Sequence, residues 1–299
     1  MGRRSGEAKA LAHGAATVVN AMATKKGAAF GVDLYTKAYV KLTSEPQIIE
    51  AEIIPDRGEN PVLIQKAIWT VLKRFNLEKE LGAKVKTWSN IPIARGLKSS
   101  STAANATVLA TLGALGESLE DLEIIKLGVL AAFEAKVTLT GAFDDACASY
   151  FGGLAITDNL KCKLVKQEIL TEEYVVLFQV PPKKAYTVNT ITDNFSLFEP
   201  QIETAYNMAL NGRPWEALTL NGQCYSSAFR FDGKVAIDAL NAGAKAAGLC
   251  GKGPTTTAVV SKEYVAQVRA AWQTYEGEVI QTGLNHEKAG YLHNDAGNC

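Results

Sequence analysis

The sequence predicts an α+β protein built as two lobes. Three observations lead there. The chain has 299 residues, about twice a common domain length of roughly 150. Residues 31–43 alternate apolar and polar side chains and are followed by helical stripes, so strands and helices mix early. Beyond residue 171 the pattern becomes a strand, three helices, a strand, a helix and a strand, the order of a separate α+β lobe. The boundary is expected near 168–172, which gives lobes of 1–170 and 171–299.

Along Gly31–Thr43, Val32, Leu34, Thr36, Ala38, Val40 and Leu42 take one face, and Asp33, Tyr35, Lys37, Tyr39 and Lys41 the other. That is a half-buried strand. Gln47–Ile54 reads as its hairpin partner across Ser44, Glu45 and Pro46. Pro61 suits a first helical turn and opens a helix to about Phe75. Ala83–Ser89 alternates again. A helix follows Thr102, with Ala104, Val108, Leu112 and Leu115 in one stripe. A second helix covers 119–135, with Leu122, Ile125, Val129 and Ala132 aligned. A short helix from Asp144 ends at Gly152 and Gly153, and a strand runs through Ile156. In the second half, Glu172–Val180 is a strand, and helices are expected at 195–211, 214–229 and 235–247. Gly248–Pro254 is a glycine-rich turn, Thr255–Ser261 a strand, then a helix to Tyr275 and a strand at Glu278–Thr282. Residues 286–299 form a polar tail.

Composition narrows the function. Lys plus Arg and Asp plus Glu are both 31, so the chain lacks the overall basic footprint of a nucleic-acid binder. Five scattered cysteines without a C-x-x-C pair argue against zinc knuckles and thioredoxin-like chemistry and fit reduced thiols. The most apolar stretch, Ala103–Gly116, falls short of the ~20 residues of a membrane span. A cytoplasmic protein with no membrane or nucleic-acid partner is expected.

Three regions carry chemistry. The first is Pro92, Ile93, Ala94, Arg95, Gly96, Leu97, Lys98, Ser99, Ser100, Ser101 and Thr102, a glycine- and hydroxyl-rich loop ahead of a helix. Free N–H groups and partial positive charge at a helix start attract phosphates. Gly96 permits a close backbone approach. Alternatively, the serines only cap a buried helix. The second is Gly141–Ala146 with the doublet Asp144 and Asp145. These aspartates either cap the helix or orient a substrate hydroxyl. Glu134, 11 residues before Asp145, is an ordinary surface residue or an acidic partner for Mg²⁺. The third is the Gly248–Pro254 turn, which matches neither a Walker loop nor a dinucleotide fingerprint.

Together these regions resemble the GHMP small-molecule kinase superfamily. From about Ala8 to Gly283 the chain looks more closely like the archaeal-type shikimate kinases. The stretches that carry the likeness are Asn20–Leu34 and Thr140–Ala146. The resemblance implies a ribosomal-S5-domain-2-like N-terminal lobe, a ferredoxin-like C-terminal lobe, and ATP- and Mg²⁺-dependent phosphorylation of the shikimate 3-hydroxyl in aromatic amino-acid biosynthesis. It assigns Pro92–Thr102 to the ATP triphosphate, Ser101 and Glu134 to Mg²⁺, and the aspartate doublet to catalysis. Counting back from the glycine pair favours Asp145 at the hydroxyl; reading the doublet as the family's Asp-Asn favours Asp144. Lys25, Lys26, Asp33, Gly251, Gly253 and Arg57 are candidates for the substrate side. Lys252 departs from the small or hydroxylic residue usual in the third motif. Other acceptors (homoserine, mevalonate or a sugar) and a non-catalytic ligand sensor remain the rival readings. The catalytic reading requires the loop and the aspartate doublet to meet in space.

Overall fold

The computed structural model describes residues 6–56, 58–93, 95–182 and 195–292. Among them are two sheets. The first contains β1 (Glu7–Val19), β2 (Lys26–Thr43), β3 (Ile49–Ile54), β4 (Gly82–Ser89), β5 (Leu154–Asp158), β6 (Lys163–Glu168) and β11 (Gly290–Leu292). Its order is β11-β1-β2-β4-β3, with β5 and then β6 added beside β2. The length of β2 permits this: Lys26–Phe30 pairs with β5, while Thr36–Thr43 pairs with β4. The predicted alternation holds, with Val32, Leu34, Thr36, Ala38, Val40 and Leu42 all buried.

The expected hairpin is replaced by a crossover. β3 pairs with β4, not β2, and runs parallel to it from Ile49 opposite Ala83 to Ile54 opposite Trp88. The intervening helix α1 (Val62–Arg74) makes the crossover that two parallel strands require. Asn60 Oδ1 accepts a hydrogen bond from Val62 N at 3.0 Å at its start. Helices α2 (Ser99–Leu115), α3 (Asp121–Glu134) and α4 (Phe143–Phe151) join α1 in one core with Ala10, Ala12, Ala15, Ala29, Ala38 and Val40 of the sheet. Leu122, expected on the buried stripe of α3, is exposed.

β1 is a strand the sequence reading missed. From Ala12 to Val19 it is buried without interruption. Ala15 faces the helical core, while Ala16 and Val18 belong to a second core shared with the other sheet. A strand covered on both faces shows no alternation.

The second sheet has the order β10-β7-β9-β8, all antiparallel. It comprises β7 (Tyr174–Val180), β8 (Ala246–Leu249), β9 (Thr256–Ser261) and β10 (Glu278–Gly283). Val176, Phe178 and Val180 face α5 (Glu199–Leu210) and α6 (Pro214–Ala228) in the second core. Leu177 faces α7 (Lys234–Asn241) and α8 (Val265–Trp272) in a third. The helix expected over 235–247 ends at Asn241, and its last residues enter β8. Gly248 packs directly on Gly222 of α6, so small residues there serve helix–sheet contact. After β10 the chain returns to the first sheet, where β11 pairs with β1. The tail expected at 286–299 is thus part strand; residues 293–299 lie outside the described residues.

Candidate active site

The loop after β4 is pinned at two apolar points. Ile91 and Leu97 are buried in the second core, so the residues beside them are held in place. Gly96 has φ +86°, and a Cβ there would lie 2.5 Å from the Cys250 carbonyl oxygen. Only glycine allows the loop to approach the Cys250–Pro254 turn this closely. Lys98 adopts a left-handed conformation with φ 61°, and α2 starts at Ser99, earlier than expected.

The hydroxyl cluster therefore lies inside the first turn of α2. No side chain caps that helix, so the capping account of the serines fails. Thr102 N bonds the Lys98 carbonyl oxygen and begins the helical ladder. The amides of Ser99, Ser100 and Ser101 are the free donors of a helix start. All three serines line a cavity of about 590 Å³, together with Gly96, Lys98, Asp145, Gly251 and Lys252. That volume is typical of a small-molecule site. Apolar residues, among them Ile53, Pro61, Leu63, Ile64 and Val137, also line it. Of the other loop residues, Ile93 and Leu97 line the cavity too. Thr102 is buried with its hydroxyl on the His13 carbonyl oxygen, and Arg95 donates to the Pro181 carbonyl oxygen. Pro92 and Arg95 are not on the cavity wall. Ala94 and Arg57 lie outside the described residues.

The aspartate doublet sits in the first turn of α4, which also has no side-chain cap. Successive helical residues point about 100° apart, so the two carboxylates face different surroundings. Asp145 faces the cavity, and its Oδ2 is 2.9 Å from Lys98 Nζ, with both side chains nearly enclosed. Its Oδ1 is buried with no hydrogen-bond partner. Asp144 points the other way and accepts a 2.8 Å hydrogen bond from Asn159 Nδ2. Gly27 leaves room for it: a Cβ there would fall 2.6 Å from Asp144 Oδ2. Burial, reinforced by the neighbouring Asp145, pushes the Asp144 carboxyl well above the usual carboxylate range. Burial pushes Lys98 down, but Asp145, Cys250 and Asp144 together outweigh it and hold the ammonium above its ordinary value.

The glycine-rich turn closes the site from the second sheet. Gly251 N donates to Thr17 Oγ1 at 3.0 Å, and the Gly251 carbonyl oxygen accepts from Asn20 Nδ2 at 3.0 Å. Asn20 itself is fixed through Asn221 Oδ1 at 2.8 Å. Lys252 stands on the cavity wall beside Lys98. Sequence reasoning assigned no role to Asn20, Asn159 or Lys252. Asn20 was legible only as a polar residue ending a buried run, and Lys252 as a departure from a motif.

Several candidates stand apart from this cavity. Glu134 pairs with Lys66 at 3.4 Å, although its neighbours Ala132 and Ala135 line the wall. Lys26 pairs with Glu203 at 2.6 Å, and Lys25 Nζ reaches the Met22 carbonyl oxygen at 3.4 Å. Asp33 is exposed, 3.9 Å from His13 Nδ1. Gly253 packs against Leu249 and Phe231 instead of the cavity. Among the described residues no three His, Cys, Asp or Glu side chains form a metal-binding group, and no helix is long and apolar enough to cross a membrane.

Residues 62–153, from α1 to the end of α4, match the GHMP kinases N terminal domain. The shikimate kinase of Methanosarcina mazei is 47% identical over 285 residues, covering 95% of this chain and 96% of its own. That of Pyrococcus abyssi is 40% identical, covering 91% and 97%. The fold resembles homoserine kinase from Cytophaga hutchinsonii with a TM-score of 0.74, at 17% identity over 98% of this chain and 99% of that one. It also resembles the Methanococcus jannaschii mevalonate kinase with a TM-score of 0.74, at 18% identity over 93% and 98%. On sequence identity across nearly its whole length, the chain belongs to the archaeal shikimate kinase family of GHMP-type phosphotransferases.

Proposed function

We propose that this chain transfers the γ-phosphoryl group of ATP to the 3-hydroxyl of shikimate, releasing ADP and 3-phosphoshikimate for aromatic amino-acid biosynthesis. The relatives' activity supports the acceptor. The observation that carries the chemistry is the enclosed Lys98–Asp145 pair on the wall of the cavity that the start of α2 also lines, with one buried carboxylate oxygen left without a hydrogen-bond partner. In this reading the α2 amides and the serine hydroxyls hold the phosphates, and the apolar residues take the adenine. The spare Asp145 oxygen accepts the hydroxyl hydrogen bond and then the proton. The hydroxyl oxygen bonds to phosphorus as the bond to the β-phosphate oxygen breaks, and its electron pair leaves with ADP. Phosphoryl transfer needs alignment and charge stabilisation more than a strong base.

Mg²⁺ fits on the side of the phosphates. Ser101 lines the cavity, and Mg²⁺ in kinases takes few protein ligands because phosphate oxygens and water supply the rest. A bound Mg²⁺ would supply positive charge to offset the charge that develops on the phosphates. Ser101 would hold it; Glu134, the acidic partner that the resemblance assigns, is paired with Lys66 and is not on the cavity wall. The nucleotide lobe is residues 1–170 and the second lobe 171–299, with β11 reaching back to the first sheet.

An ADP-release assay against shikimate, homoserine, mevalonate and galactose tests the assignment. Turnover with shikimate alone is expected. Preference for another acceptor replaces the substrate, and ATP binding without any phosphorylation replaces the enzyme by a sensor.

A further inference from the structure

We propose that Lys252, on the turn between β8 and β9, is a further catalytic residue whose ammonium meets the transferring phosphoryl group, while Lys98 is committed to Asp145. This rests on the ATP-dependent reading above. The argument starts from Lys98. Its ammonium is 2.9 Å from Asp145 Oδ2, with the two side chains 11% and 8% exposed. A Cβ on Gly251 would lie 2.9 Å from Lys98 Nζ, so the turn closes over it. Swinging Lys98 onto a phosphate would strand a buried carboxylate, which is strongly unfavourable. Its charge is therefore spent on Asp145.

Lys252 lines the same cavity as Ser99, Ser100, Ser101 and Asp145. Asp144 is engaged with Asn159 on another side. Two lysines, the first turn of α2 and Asp145 thus share one cavity wall. Among the charged groups near Lys252 are Lys98 from the loop before α2 and Asp145 from α4. The other charged residues lining the cavity are Glu59 and Lys136. The turn is held from both sides of Gly251 by Thr17 and Asn20. A cation fixed in advance where charge develops needs no reorganisation during the reaction. Lys252 stays an ammonium throughout; the phosphorus–oxygen bond exchange and the proton passed to Asp145 are unchanged. Burial, with help from Lys98 and against Asp145, lowers the Lys252 ammonium to about 8, so its charge is lost as pH rises through that value.

The test compares ADP with the β,γ-imido analogue of ATP, both with Mg²⁺, by calorimetry on the wild type, Lys252→Met and Lys252→Arg. Melting temperatures verify folding. Lys252→Met should weaken the triphosphate about tenfold or more, as expected for a charged hydrogen bond, and leave ADP nearly unchanged. Turnover should fall by about 10²-fold with the KM for shikimate held. In the wild type, triphosphate affinity relative to ADP should fall between pH 7 and 9; in Lys252→Arg it should stay level, because guanidinium does not titrate there. Equal changes for both nucleotides, no change for either, or a loss confined to the shikimate KM would each overturn the proposal. A wild type that binds the triphosphate but never phosphorylates shikimate contradicts the earlier reading instead, and the nucleotide comparison still reports on Lys252.

Discussion

Asp145 and Lys98 stabilise each other in a place neither would occupy alone. Both are almost fully enclosed, 2.9 Å apart, and one carboxylate oxygen has no partner. Removing one member of a buried pair costs about 3–5 kcal/mol because the other is left uncompensated. Lys98→Met should therefore lower the free energy of unfolding in urea by that amount. Adding Asp145→Asn should restore part of it. Asp145→Asn alone keeps the shape but cannot take a proton. Turnover per folded molecule in a coupled assay should drop by roughly 10²-fold or more, and the melting temperature should fall as well, since Lys98 is left without its carboxylate. Near-normal turnover would remove Asp145 from the reaction. The sequence carried the doublet but left the choice between its members open. Counting back from Gly152 favoured Asp145, and the structure has Asp145 on the cavity wall with Asp144 turned to Asn159. The partnership with Lys98 was not legible, because 47 residues separate the two in the chain.

At the scale of elements, the site is the meeting of three starts and turns: the beginning of α2, the beginning of α4, and the turn after β8. Gly96 is where the first and third touch. Gly96→Ala would press a methyl group onto the Cys250 carbonyl oxygen at a positive φ, moving the loop away from the turn. Nucleotide affinity should fall severalfold or more in a binding titration, since a positive φ on a residue with a side chain costs about 1–2 kcal/mol before any clash. Unchanged affinity would mean that the loop does not carry the phosphates. The elements themselves were unevenly legible. β2 followed its period over Val32–Leu42, where buried and more exposed residues alternate, and Pro61 marked the start of α1. β1 and β8 escaped, since both are buried strands rich in small residues, where neither period is written. β3 was found as a strand but joined to the wrong neighbour. The helix between β3 and β4 marks a parallel crossover, and that signal outweighs a proline-containing turn.

At the scale of the whole molecule, the two sheets share a core in which β1, β2, β7 and α6 all take part. This sharing positions the Cys250–Pro254 turn against the nucleotide loop: Thr17 and Asn20 come from the first half, Asn221 and Gly251 from the second. Two lobes of mixed architecture were legible in the length and the pattern. The return of β11 to the first sheet was not, because three residues carry no period. The central claim is that the start of α2 receives the triphosphate while Asp145 faces the acceptor. A crystal structure with Mg²⁺, the imido analogue of ATP and shikimate tests it most directly. The account predicts the γ-phosphate at the amides of Ser99–Ser101 and an Asp145 oxygen within about 3 Å of the 3-hydroxyl. A triphosphate seated elsewhere, or a hydroxyl more than about 3.5 Å from the phosphorus in the closed complex, would contradict it.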